Sequence, residues 1–171
     1  MKRYAIVAAL AILGAACGSN NPTSPSDGPV VFTVALAASN EVPPVTNADS
    51  QARGTATITI TAPRDSAGVV TGPGTANFSA QVSGFPPGTV ARAAHIHPGA
   101  AGVNGSPLVD TGLTPATAIT LADGTGTLTF SGIAVTQANA QAIISNPAGF
   151  YFNIHTVLTP GGAVRGQLVR Q

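Results

Sequence analysis

The chain has 171 residues, of which 8% are charged, with 20 glycines, 14 prolines, a single cysteine and no tryptophan. That length suits one well-buried domain and is short for two, and sparse charge with recurrent threonine and valine favours short strands joined by turns over long salt-bridged helices. Apart from Lys2 and Arg3, five arginines face six carboxylates, so the body is lysine-free and slightly acidic, which excludes the basic stripe that nucleic-acid binding requires.

In "MKRYAIVAALAILGAACGSN" two positive residues precede an apolar run from Ala5 to Leu13 and small residues just before Cys17. This is the layout of a secretory signal peptide, and the apolar run is too short to serve as a stable bilayer span. The lone cysteine stands where cleavage falls, so the stretch resembles a bacterial lipoprotein signal, although Gly14 holds the place three before the cysteine and Leu13 lies one step further back. Residues 1–16 are therefore expected to be removed, leaving Cys17 as a lipidated N-terminus that holds the protein to a membrane. Residues 17–29, "CGSNNPTSPSDGP", are polar and rich in proline and serine, as expected of a tether. The protein is expected in the cell envelope, facing periplasm or exterior, or otherwise secreted. One cysteine permits no intrachain disulfide, so the core alone must hold an exported domain.

From Val30 to the end the chain reads as strands. "VVFTVALAA" and "GTATITIT" are rich in β-branched residues, and in the second Ala56, Ile58 and Ile60 share one face while threonines 55, 57, 59 and 61 share the other. The strand from Val30 is expected to end in "EVPPV", because Pro43 and Pro44 cannot donate to a ladder, and to resume at Gly54. "GTANFSAQVSG" and "GTGTLTFSGIAV" repeat the alternation, and "LADGTG" carries the Asp-Gly pair favoured in tight hairpins. "TQANAQAIISNP" predicts one short helix near 136–146, with Thr136 as N-cap and Pro147 as stop. The expected fold is all-β: an antiparallel sandwich or barrel, Greek-key-like, superoxide-dismutase-like or Ig-like.

All three histidines lie in two segments, "AHIHPG" and "FYFNIHT". Strand alternation puts His95 and His97 on one face, with Ala94 and Ile96 on the other; in the second segment it groups Tyr151, Asn153 and His155 opposite Phe150, Phe152 and Ile154. Each strand is thus expected to hide an apolar row and present imidazoles outward, and if the strands are neighbours the rings converge on one patch. Three imidazoles suit copper or zinc. The competing use is structural, with the rings bonded to Tyr151, Asn153 or backbone, and Arg165 bonded to carbonyls or to a carboxylate such as Asp110. In "PGAAGVNGSP", Asn104 and Gly105 are expected to supply positive φ in a tight turn. Serines 83 and 106 lack the Gly-x-Ser-x-Gly frame, so nucleophilic catalysis has no support.

Together "SNEVPPV", "RAAHIHPGAAGVNGSPLV" and "FYFNIHTVLTPGGAVRGQL" resemble, in order, the signature pieces of the CHRD domain, the module named after chordin, over about Val31 to Val169. The resemblance implies an exported β-domain acting as a non-enzymatic binding or structural module with an extracellular or envelope protein as partner; in animals the family is linked to growth-factor antagonists. A more distant likeness is to copper,zinc superoxide dismutases, in which a His-x-His strand, a later histidine and an arginine near the C-terminus match His95, His97, His155 and Arg165. It implies a copper or zinc site with redox activity toward superoxide and Arg165 as anion guide. The likeness stops short of a bridging histidine, a zinc cluster and that family's disulfide.

Overall fold

A computed structural model describes residues 28–171. The expected signal peptide, Cys17 and most of the tether lie outside these residues. The strands are β1 (Val30–Ala37), β2 (Arg53–Thr61), β3 (Gly74–Ser83), β4 (Thr89–Pro98), β5 (Val109–Asp110), β6 (Ile119–Leu121), β7 (Gly126–Val135), β8 (Phe150–Thr156), β9 (Val164–Gln167) and β10 (Val169–Arg170), with one helix, α1 (Gln137–Ser145). They form one sheet in the order β5-β4-β8-β9-β1-β2-β3-β7, with β10 beside β1 and β6 beside β4. Every pairing is antiparallel. The sheet curls until β5 meets β7, giving a nearly closed barrel.

Alternation builds the interior. Phe32, Ile58 and Phe78 stand in register across β1, β2 and β3, and Phe152 from the far wall packs on Phe78 with ring centroids 5.5 Å apart. Burying such side chains contributes about 1.5–3 kcal/mol each, the force that holds a domain with no disulfide. Thr136 caps α1 by accepting from the Asn139 N–H at 3.2 Å, and Ile143 and Ile144 turn its apolar side into the core.

Two expectations change. β1 ends at Ala37, before the prolines, in a 3-10 turn over Ala38–Asn40. The turn at Asp123-Gly124 closes no hairpin: β6 pairs with β4 and β7 pairs with β3, so the turn carries the chain from one wall of the barrel to the other. Gly124, at φ +70°, still provides the left-handed residue there.

In β4 the register slips between Ala91 and Ala93. This bulge lets Ala91 and Ala94 both face the core and leaves His95 and His97 on the opposite side. That opposite side is not open to solvent. Every residue of β8 is buried on both faces, because residues 38–52 and 99–108 cross over β4, β8 and β9 as a second layer. Hydrogen bonds fasten it: Asn40 Nδ2 to the Arg165 carbonyl at 3.1 Å, Thr156 Oγ1 to Asp49 Oδ2 at 2.6 Å, and the Gly105 N–H to Tyr151 Oη at 3.3 Å.

Candidate metal centre

β4 and β8 are direct neighbours, with His95 opposite Asn153, His97 opposite Tyr151 and Ala93 opposite His155. The register therefore sets His155 diagonally beside His95, and the three rings meet: centroids are 5.0 Å apart for His95 and His155, 5.4 Å for His95 and His97, and 6.1 Å for His97 and His155. One ligand nitrogen from each ring lies within 4.8 Å of the other two. Contrary to the expected outward face, His97 and His155 are buried, at 4% and 9% exposure, and His95 is only partly exposed.

Carbonyls select the tautomers. His97 Nδ1 lies 2.9 Å from the Gly105 carbonyl oxygen and His155 Nδ1 lies 2.9 Å from that of Pro160. A carbonyl can only accept, so both Nδ1 atoms carry the proton, and in the neutral rings both Nε2 atoms carry the lone pair. His97 Nε2 is buried with no hydrogen-bond partner. His155 Nε2 faces His95 Nδ1 at 3.2 Å and the Asn153 side-chain amide at 3.1 Å, an amide that donates to this lone pair with its NH2 turned toward the ring. The outer nitrogen of His95, Nε2, stands 3.9 Å from Asp110 Oδ2.

Burial keeps the cluster neutral. It pushes His95 down to about 4, helped by His155 and opposed by Asp110, and it lowers His97 and His155 against their hydrogen bonds to Gly105 and Pro160. Near pH 7 the rings thus offer lone pairs rather than protons, the form in which imidazole binds copper or zinc. Two nitrogens about 2.0–2.1 Å from one ion stand about 3.4 Å apart in tetrahedral geometry and at most about 4.2 Å. The His95–His155 pair, at 3.2 Å, already satisfies this, and a pair at the 4.8 Å limit has to close by about 1.4 Å to share a tetrahedral ion.

Arg165 stands apart from the trio. Its guanidinium lies 3.9 Å over the Tyr151 ring, while His97 stacks on Tyr151 with centroids 4.9 Å apart and planes 4° apart. The guanidinium donates to Asn104 Oδ1 at 2.8 Å and the Val103 carbonyl at 3.0 Å, and Asp110 serves His95 instead. Arg165 is 1% exposed.

Asn104, Gly105 and Glu41 complete the surroundings. Among the described residues no non-glycine residue has positive φ, and Gly105 does not either, so Asn104 and Gly105 are not a left-handed turn. Gly105 is needed for close approach, since a Cβ there would sit 1.8 Å from the Pro98 carbonyl oxygen. Asn104 ties segments together, donating to the Val42 carbonyl at 2.8 Å while accepting from Arg165. Glu41 is buried with Oε1 unpartnered. Its signal was an acid inside the apolar, proline-rich "EVPPV".

The family model of the CHRD domain matches residues 32–168, a span containing all three histidines, Arg165 and both covering segments. No curated protein matches the chain. No solved structure matches it either. With four-fifths of its length inside one family model, the chain belongs to the CHRD domain family.

Proposed function

We propose that this chain is an exported, lipid-anchored envelope protein whose CHRD domain binds one copper or zinc ion through His95, His97 and His155. The observation that carries the metal reading is the convergence of three neutral imidazoles, two of them with Nε2 lone pairs set by backbone carbonyls. A sheet holds such rings more rigidly than a loop. The role is binding rather than catalysis: an anion guide has to reach the open coordination position, whereas the Arg165 guanidinium is held by Asn104, Val103 and the Tyr151 ring. Export and anchoring rest on the leader and Cys17.

Elemental analysis of untagged protein after loading with copper or zinc and desalting tests the metal. One ion per chain is expected, with loss of at least about tenfold in affinity in His97→Ala. No retained ion, or equal retention by the variant, would overturn the reading. Mass spectrometry of the mature N-terminus tests the anchor: an acylated Cys17 is expected, and cleavage elsewhere with a free thiol contradicts it.

A further inference from the structure

We propose that Asp110 is a positioning residue for the metal centre, holding His95 in the tautomer that presents Nδ1 as its ligand atom. The inference rests on the metal reading and goes one step outward from it. His95 and Asp110 are directly paired across β4 and β5. The two nitrogens of His95 face different things: Nδ1 points into the cluster, 3.2 Å from His155 Nε2, and Nε2 points out, 3.9 Å from Asp110 Oδ2. The carboxylate is itself oriented, because its other oxygen, Oδ1, accepts the Gly112 N–H at 2.8 Å.

Without an ion, the lone pair on His155 Nε2 takes the proton of His95 Nδ1. With an ion, both of those nitrogens are ligands, so Nδ1 must give up its proton and Nε2 must carry one. The ring stays neutral, one proton leaving Nδ1 and one arriving at Nε2 by exchange with solvent. Asp110 is the acceptor placed for that new N–H. A small turn of either side chain closes the separation to hydrogen-bond length, about 2.8 Å. A carboxylate behind a ligating imidazole fixes its orientation and raises its basicity, and losing such a partner typically costs about 10–100-fold in metal affinity. The same element thus supplies the partner that His97 and His155 obtain from backbone carbonyls.

The test compares wild type, Asp110→Asn and Asp110→Glu by competition for zinc with a chromophoric chelator, together with urea unfolding of the metal-free proteins. Asn keeps the oxygen that accepts from Gly112, so metal-free stability should stay unchanged while zinc affinity falls about 10-fold or more; Glu should recover most of it. On the copper-loaded proteins, pulsed electron paramagnetic resonance should find that the quadrupole coupling of the remote nitrogen of one imidazole shifts in Asp110→Asn, which a merely structural role would not produce. Affinity in Asp110→Asn within about threefold of a metal-binding wild type, with no spectroscopic shift, overturns this inference and leaves the metal reading standing. Failure of the wild type to bind zinc or copper overturns both.

Discussion

At Glu41 the carboxyl lies against the backbone of Gly162, where φ is +133° and any Cβ would fall within 2.7 Å of Oε1. Burial raises its pKa from 4.5 to about 7, opposed by the positive charge of Arg165. Between those values the folded state binds a proton that the unfolded chain does not. The resulting stabilisation is complete below about pH 4.5 and is lost as pH rises through about 7. Glu41→Gln keeps the shape without the titration, so its melting temperature should gain on wild type by at least about 3 °C between mildly acidic and mildly alkaline pH. Parallel profiles for the two proteins would contradict the assignment. The acid in "EVPPV" was visible in the sequence, but its burial was not, because the second layer that encloses it comes from residues distant along the chain.

Between elements, the cover over the histidine face is held by hydrogen bonds together with the packing of Ala38, Val45, Ala52 and Leu108 against the core. Asn104 is one of these connections, joining the 99–108 segment to Val42 and to Arg165. Asn104→Ala leaves a buried guanidinium N–H unpaired, and the expected loss is about 1–3 kcal/mol in urea unfolding. Amide hydrogen exchange should rise first in β8, whose outer face that segment covers. A loss below about 0.5 kcal/mol with unchanged exchange would show that the cover is held by something else. This layer is the part of the site least legible in the sequence: "PGAAGVNGSP" has the composition of a surface turn, and a side chain that bridges distant backbone leaves no periodic trace. The strand faces were legible for the opposite reason. In β2 and β8, alternation alone separates Ala56, Ile58 and Ile60 from the threonines, and Phe152 and Ile154 from Asn153 and His155.

For the whole molecule, an antiparallel β-barrel with one capped helix follows from alternation, turn residues and low charge, and the CHRD family match agrees with the three segments that carry the resemblance. Strand order was beyond local reading. The Asp123-Gly124 turn has hairpin composition yet joins strands from different walls, since register is decided by which apolar faces close the barrel. The strand order decides the site as well, by making β4 and β8 neighbours. The most direct measurement is anomalous diffraction at the metal edge from crystals of the copper- or zinc-loaded protein. One peak per chain is predicted, about 2.0–2.1 Å from Nδ1 of His95 and from Nε2 of His97 and His155. A peak at any other residues, or none at this trio in protein that carries stoichiometric metal, would contradict the account.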